Sequence, residues 1–396
     1  MELEPTQFFA EPKNERVFES NSGIEKTIAS ATGTAFDNDN NTILIGGDGG
    51  SANSGKLSAY EVIEGGFQRI WTYSTNLTND VESVIYAGDD EIIAADDEGN
   101  IVKVNALDGT EHWNFSGEGT NTRGGIGYNA THVTYSTDID GSSGDGRTYM
   151  LDRSDGTEVW STLISDGRGA AHMSITNSGD VFQVDIVDDT EGNNNVFYLD
   201  GDTGDIMWES MITTSSNNRL EGGVYMPEED IGIVMSGDEG SLWKFDLTET
   251  SSFNDALIGE VSIPSGTTGG GGQTQLQVSE SEYVVHSGST IRIYNLNDEI
   301  VATSSGRSPD SWTSSEFVAE NNRLYSNGTS IPVEFFIPDR RMSVHFESDD
   351  GMLLNGVEVG SGEHLSIDGL KLNESDTIMG LGDWMIVGVY LDHPEQ

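Results

Sequence analysis

The fold is decided by the stretch Val104-Asn105-Ala106-Leu107-Asp108-Gly109-Thr110-Glu111-His112-Trp113, in which a short β run leads through an Asp-Gly turn to a tryptophan. Matching stretches run from Tyr149 to Trp160 and from Leu199 to Trp208, and a degenerate copy runs from Leu57 to Trp71. By subtraction, the tryptophans at 71, 113, 160 and 208 are 42, 47 and 48 residues apart. A four-stranded propeller blade has about this length, so the spacing predicts a β-propeller.

Each interval also contains the strands that a blade needs. Glu91–Asp96 is a β run, Asp97-Glu98-Gly99-Asn100 is a tight turn, and Ile101–Val104 is a second run. Later stretches lose the tryptophan but keep the rhythm as far as Phe336, with six clear blades and one incomplete blade. We expect seven blades, with six as the alternative. A propeller must cover its sheet edges, so a strand from Phe8–Phe18, or from the segment directly after it, should pair with the last blade.

The blade pattern divides the chain into three parts. Residues 1–33 form an N-terminal arm that contains the expected closing strand, and residues 34–337 form the propeller. Residues 338–396 lack the blade pattern but contain short β runs, which predicts a small, β-sandwich-like domain. Its run Trp384–Leu391 is apolar at nearly every position, so we expect a central strand or a strand that packs on a partner. The expected fold class is therefore all-β.

The chain carries a formal net charge of -50, from 68 acidic and 18 basic residues spread along the sequence. Molar salt screens the self-repulsion of so acidic a protein and leaves it hydrated, so we interpret the charge as the signature of a halophile. A mesophilic acidic protein that binds cations or basic partners is the alternative. The sequence has no basic stripe, which excludes nucleic acid as a partner. It has no cysteine, which excludes disulfides and thiolate metal sites.

The repeated stretch resembles the PQQ-like, or quinoprotein-type, β-propeller repeat, whose motif is Ala-x-Asp-x-x-Thr-Gly-x-x-x-Trp. The resemblance is strongest over Leu57–Trp208 and weaker from there to Phe336. In that family the turn residues end a strand, and the tryptophan packs between neighbouring blades. The resemblance therefore implies structural roles, as blade anchors, for Trp71, Trp113, Trp160 and Trp208.

The family that the repeat resembles contains both quinone-dependent dehydrogenases and non-catalytic scaffolds. A redox quinone needs a cation at its carbonyls, a carboxylate base and flat walls that hold its ring. The chain lacks the adjacent cysteines of many such enzymes, and no residues mark a ring-binding wall. We therefore expect a protein that is not an enzyme and has no catalytic residue. A quinone- or metal-dependent dehydrogenase is the alternative.

One acidic turn is a candidate cation site. Asp138, Asp140 and Asp145 stand among glycines and serines, at spacings reminiscent of a calcium loop. The glutamate that ends such a loop is missing, so a solvated hairpin tip without Ca²⁺ is the alternative. We expect no zinc site, because no two of the seven histidines stand at the close spacing that such a site needs, and we expect no other cofactor.

These observations together predict a recognition or structural propeller that presents its turns to a protein or a glycan. The first residues, Met1-Glu2-Leu3-Glu4-Pro5, lack the basic and apolar regions of a secretory signal, and no run approaches a membrane span. We therefore expect a component of a larger assembly at a virion or cell surface, such as the receptor-binding spike or tail fibre of a halophile's virus. A cell-envelope or cytoplasmic scaffold is the alternative, and a homo-oligomer is compatible with either role.

Overall fold

The computed structural model describes much of the chain between Glu19 and Phe336 and three strands after it. The described residues are 19–21, 31–37, 39–40, 42–48, 55–63, 66–120, 125–139, 145–164, 170–185, 195–210, 212, 220, 222–236, 241–262, 275–279, 281–287, 290–305, 315–318, 323–328, 331–336, 342–348, 351–359 and 377–381.

Within these ranges the chain is almost entirely β-strand. In chain order the first strands are β1 (Glu19–Asn21), β2 (Ala31–Asp37), β3 (Thr42–Asp48), β4 (Gly55–Ile63), β5 (Gly66–Tyr73), β6 (Val81–Tyr86), β7 (Glu91–Asp96), β8 (Asn100–Asn105) and β9 (Glu111–Ser116). The next are β10 (Ile126–Tyr128), β11 (His132–Asp138), β12 (Gly146–Asp152), β13 (Glu158–Ile164), β14 (Ala170–Ile175), β15 (Val181–Asp185), β16 (Val196–Leu199) and β17 (Ile206–Ser210).

The second half of the chain continues in the same way, with one short helix. Its elements are β18 (Gly222–Met226), β19 (Ile231–Ser236), β20 (Ser241–Asp246), α1 (Phe253–Ala256), β21 (Leu257–Ser262), β22 (Gln275–Ser279), β23 (Glu282–Ser287), β24 (Thr290–Asn295), β25 (Ile300–Ser305), β26 (Ser315–Val318), β27 (Arg323–Gly328), β28 (Ile331–Phe336), β29 (Met342–Ser348), β30 (Gly351–Val359) and β31 (Thr377–Leu381).

The strands β1 to β28 form seven four-stranded antiparallel sheets, which we number as blades 1 to 7. In chain order the blades are β2–β5, β6–β9, β10–β13, β14–β17, β18–β21, β22–β25, and β26–β28 together with β1. The first strands of successive blades contact one another, and β2 also contacts β26 and β27, so the sheets close into a ring. The structure is a seven-bladed β-propeller, and the predicted fold class is confirmed.

The strand β1 closes the ring. It pairs antiparallel with β28, which places Glu19 opposite Phe336 and Asn21 opposite Glu334. The closing strand therefore lies directly after Phe18, in the second of the two segments considered above. Blade 7 combines three strands from the end of the propeller with one from its beginning, and this pairing covers the outer edge of β28.

Neighbouring blades pack face to face through apolar side chains. Blades 4 and 5, for example, share a cluster that includes Phe182, Trp208, Val234 and Phe245, all nearly inaccessible to solvent. Each blade lies between two others, which cover both faces of its sheet. Four consecutive residues of β7, from 92 to 95, are therefore buried. The inner strands therefore read as continuous apolar runs, unlike strands of a sheet with one face in water.

The chain divides into two compact units, of which Glu19–Phe336 contains the propeller. The other unit contains β29, β30 and β31, which form a three-stranded antiparallel sheet in the order β30-β29-β31. The apolar run Trp384–Leu391 lies outside the described residues, and the domain boundaries after 33 and 337 stay predictions. In the described part of the chain, no helix has the length and hydrophobicity that a membrane crossing requires.

Candidate functional site

The four tryptophans at the expected anchor positions make the same contact between blades. Each lies on the fourth strand of its blade, and its indole Nε1–H donates a hydrogen bond to a backbone carbonyl in the next blade. The donor and acceptor pairs are Trp71 with Ala106 (2.7 Å), Trp113 with Arg153 (3.0 Å), Trp160 with Gly201 (2.8 Å) and Trp208 with Glu249 (3.1 Å). We call this hydrogen bond the indole contact, and it joins four consecutive pairs of blades.

A turn glycine of the next blade lies against each of the first three indole rings. Gly109, Gly156 and Gly204 have φ values of 72°, 75° and 76°, in the left-handed region that favours glycine. A Cβ added to Gly156 would lie only 2.7 Å from the ring of Trp113. A larger residue would therefore be strained by its backbone and would also collide with the indole. The repeated stretch thus contains both the turn glycine and the tryptophan. Its glycine contacts the preceding blade, and its tryptophan contacts the following blade.

A buried lysine reinforces the contact between blades 2 and 3, and nothing in the sequence pattern indicated it. Lys103 Nζ donates to the Arg153 carbonyl at 2.7 Å and to the Glu91 carboxylate at 2.8 Å. The Arg153 guanidinium binds the same carboxylate at 2.9 Å. Burial alone would raise the pKa of Glu91, but the hydrogen bonds and charges of these two cations hold it below its ordinary value. Lys244 makes the equivalent contact with a carbonyl of blade 6.

A cavity of about 710 Å³ lies between blades 3, 4 and 5. Its wall consists of the first strands of these blades and the turns that follow them, and its described residues are 126–131, 172–177, Val224, Tyr225 and Pro227. The first strands β10, β14 and β18 are the ones that contact each other around the ring. The cavity therefore belongs to the central channel of the propeller, and we call it the channel pocket.

The described wall of the channel pocket is uncharged. It contains apolar side chains, backbone and a set of neutral polar groups: Asn129, Thr131, His172, Ser174, Thr176, Asn177 and Tyr225. The acidic residues Glu228 and Glu229 follow Pro227 in the same turn but are not part of this wall.

His172 is the one titratable imidazole in the described wall of the pocket. Its Nε2 shares a hydrogen bond of 2.8 Å with the Ser174 hydroxyl, and its ring packs edge-on against Phe182 with centroids 6.3 Å apart. Desolvation lowers the pKa of His172 to about 4, so the imidazole is neutral at pH 7. The ring also requires a glycine on β18, since a Cβ at Gly223 would lie 2.9 Å from His172 Cδ2. Burial among these groups thus keeps the His172 imidazole, and with it the described pocket wall, uncharged at pH 7.

A family model described as outer membrane protein assembly factor BamB matches residues 21–253, which is more than half of the chain. It is a model of PQQ-like repeats. The chain belongs to this family. The match confirms the resemblance of the repeated stretch and extends it on both sides of Leu57–Trp208. No curated protein sequence matches the chain.

Among solved structures, one similar protein is BamB from Moraxella catarrhalis, known from a crystal structure. It is 18% identical to this chain, the alignment covers 78% of this chain and 86% of that one, and the TM-score is 0.50. At this identity the similarity concerns the fold. Because 1430 solved chains match, the fold by itself does not specify what this member of the family binds.

The candidate calcium ligands lie at the turn between β11 and β12 in blade 3. Asp138 ends β11, Asp145 directly precedes β12, and Asp140 lies outside the described residues. The side chain of Asp138 is buried, and its backbone exchanges two hydrogen bonds of 2.7 Å with Thr120. Within the described ranges, no group of three or more acidic or histidine side chains could hold a metal ion. Calcium at this turn stays a prediction.

Asp185 ends β15 in blade 4, at the position that Asp96 occupies in blade 2. Four backbone N–H groups donate to the Asp96 carboxylate. The carboxylate of Asp185 is fully buried, and its Oδ1 accepts a hydrogen bond of 2.6 Å from Gln183, whereas its Oδ2 has no hydrogen-bond partner among the residues that the structure describes. Gln183 in turn accepts from Thr148 of blade 3 at 2.6 Å. Burial, together with the charge of Asp138, raises the pKa of Asp185 to about 7, against the lowering effect of the Gln183 hydrogen bond.

Proposed function

We propose that this chain is a non-catalytic recognition propeller that binds another protein within a larger assembly at high salt. The family match over residues 21–253 carries this proposal, because the matching model is described as an outer membrane protein assembly factor. An assembly factor acts by contacting other proteins. A seven-bladed ring supports such a role, since its turns lie on a rigid scaffold and together form a broad surface for a partner.

The contacts between blades support the same role. The indole contacts tie blades 1 to 5 together in sequence. The bond from Lys103 to the Arg153 carbonyl and the ion pair between Arg153 and Glu91 add a second connection between blades 2 and 3. A preorganised ring loses little conformational entropy when a partner binds its turns. The propeller can therefore recognise a partner without ordering itself first.

The charge of the chain sets the conditions under which a partner must bind. A formal charge of -50 favours a protein that works in molar salt, where exposed charges more than about 3 Å apart are largely screened. Recognition under these conditions depends on apolar contacts and hydrogen bonds between uncharged groups. The channel pocket offers both kinds of group.

The proposal is tested by finding the partner in native material. Purification in molar KCl, cross-linking through carboxylates and mass spectrometry suit a chain with 68 acidic residues. We expect cross-links between the propeller turns and a second protein present in fixed ratio. A capsid or tail protein would place the chain in a virion as a spike or fibre, and an envelope protein would make it a cellular scaffold. A chain that migrates alone and carries a quinone or metal would support the dehydrogenase alternative.

A further inference from the structure

Blade 6 has a charged residue at a position that is uncharged in other blades. Val102, Tyr149 and Trp243 stand three residues before the end of β8, β12 and β20, and all three are buried. The residue at the same position of β24 is Arg292. Its Nη1 atom is buried and has no hydrogen-bond partner among the residues that the structure describes. A buried cation without a partner destabilises a fold, so Arg292 indicates a role other than packing.

Two tyrosine hydroxyls lie on the same face of blade 6 as Arg292. Tyr283 pairs with Tyr294 across β23 and β24, and their rings stack with centroids 5.9 Å apart. In the same two strands Val285 pairs with Arg292, and residues two positions apart along a strand share one face. Both tyrosine hydroxyls are buried and lack a hydrogen-bond partner in the described part of the chain. Three unpartnered donors therefore lie on one face of the blade.

The arginine and the tyrosines are close enough to influence one another electrostatically. Burial raises the pKa of Tyr294, and the positive charge of Arg292 opposes this rise. Burial also raises the pKa of Tyr283, and the charge of Asp298 and the neighbouring Tyr294 add to the rise. Both phenols therefore keep their protons at pH 7 and can donate. A guanidinium with two hydroxyl donors beside it is a set of groups that suits an anion.

Blade 5 presents an apolar surface to these donors. The buried cluster that contains Tyr283 and Tyr294 also contains Val224, Ile233 and Leu242 of blade 5. Apolar side chains can neither accept a hydrogen bond nor neutralise a charge, so the donors of blade 6 gain no partner from them. A ligand held between such closely packed blades has to be small.

The acidic residues that follow Arg292 most closely in the sequence have other partners. Asp298 forms an ion pair with Lys244, and Glu299 accepts a hydrogen bond of 2.9 Å from the Asn295 side chain. The segment 263–274, which joins blades 5 and 6, contains no Asp or Glu. An anion from solution can supply the negative charge that these parts of the chain do not supply.

We propose that Arg292, Tyr283 and Tyr294 bind a small inorganic anion between blades 5 and 6, and that chloride is this anion in a KCl medium. Water can satisfy the hydroxyls, but it carries no charge and leaves the guanidinium without a counter-ion. The anion accepts a hydrogen bond from Arg292 Nη1 and from at least one of the two hydroxyls.

The anion stabilises the ring at an interface that lacks an indole contact. Gly259 stands opposite Lys244 in blade 5, whereas Trp113 stands opposite Lys103 in blade 2. The tryptophan position of blade 5 is therefore a glycine, which has no side chain that could reach blade 6. Bound chloride should consequently appear as added stability of the folded propeller. This effect does not depend on the partner of the proposed function.

The test is urea unfolding of the full-length protein while KCl replaces potassium gluconate at a constant total of about 2 M, which keeps the screening of exposed charges the same. Gluconate is too large for a site between packed blades. Arg292→Met removes the charge and keeps the bulk of the side chain. Arg69→Met is the matched control, because Arg69 also pairs with a tyrosine, Tyr60, but is exposed. Tyr294→Phe removes one hydroxyl and takes the place of Arg292→Met if that variant does not fold.

We expect chloride to raise the unfolding midpoint of the wild type and of Arg69→Met in a saturable way, and to leave that of Arg292→Met unchanged. Tyr294→Phe should weaken the apparent affinity for chloride about tenfold, which is the usual effect of losing one hydrogen bond to a charged group. Equal responses of the wild type and Arg292→Met would overturn the inference. So would a wild type that does not distinguish chloride from gluconate, because water or a carboxylate of the chain would then serve the site. The cross-linking test of the proposed function is unaffected by any of these results.

Discussion

Asp185 gives the propeller a pH-dependent stability that a single substitution should remove. In the folded protein the pKa of this carboxyl is raised to about 7, compared with an ordinary value of 3.8. At a pH between these two pKa values, the Asp185 carboxyl keeps a proton in the folded state that it has lost in the unfolded state. Stability from this group is therefore fully present below about pH 4, falls as pH rises toward 7, and stays level above pH 7. A pKa difference of this size between the folded and unfolded states corresponds to a loss of stability on the order of 4 kcal/mol.

Asp185→Asn keeps the size of the side chain and its acceptor for Gln183, but it cannot ionise. We expect the variant and the wild type to have similar free energies of unfolding near pH 4, and the variant to become more stable by a few kcal/mol at pH 8. Urea unfolding in molar KCl at four pH values measures this difference. Asp205→Asn is the control, because Asp205 is exposed. A difference between Asp185→Asn and wild type that stays constant from pH 4 to pH 8 would refute the reasoning.

Three further predictions concern the contacts between blades, each measured by urea unfolding. Trp160→Phe should cost about 1 kcal/mol more than Trp113→Phe, because Lys103 still donates to the carbonyl that Trp113 leaves. Met150 pairs with Trp160 as Lys103 pairs with Trp113, and a methionine cannot donate; equal losses would contradict this. Gly156→Ala should cost about 2 kcal/mol more than Gly88→Ala, since both have positive φ but only Gly156 faces a ring, and the prediction fails if the two losses match. Lys103→Met should cost about 3 kcal/mol at both 1 and 4 M KCl, because the lysine end of its ion pair is buried and the Glu91 side chain is only 22% exposed. A loss that disappears in high salt would show that salt can screen the pair.

The blade architecture could be predicted because its determinants are local. A tryptophan and a turn glycine recur in each of the early blades, and each pair serves a contact whose geometry repeats. The ring of seven blades followed from that spacing and from the weaker β rhythm that continues to Phe336. The same reasoning failed to find the acceptors of the indole contacts, because they are backbone carbonyls and carry no side-chain signature.

The channel pocket could not be predicted for a different reason. Its wall comes from three segments more than forty residues apart, and the repeated stretch marks the third and fourth strands of a blade and not the first. One wall strand, β10, has only three residues. The uncharged character of the pocket appears only when residues from 126–131, 172–177 and 224–227 are brought together by the ring. The buried state of Lys103 and Asp185 likewise depends on the neighbouring blade, which no local pattern describes.

The pairing of β1 with β28 has a consequence for synthesis on the ribosome. Glu19 is among the first residues of the propeller to be made, and its partner Phe336 is among the last. The ring can therefore close only after the whole propeller sequence has left the exit tunnel, and a contact of such long sequence separation forms late. During translation, blades 1 to 6 can stack on one another as they emerge. Until β26 and β27 are made, nothing from blade 7 packs against β2, so nascent chains shorter than the full propeller expose a face of blade 1 that a chaperone or a second nascent chain could bind.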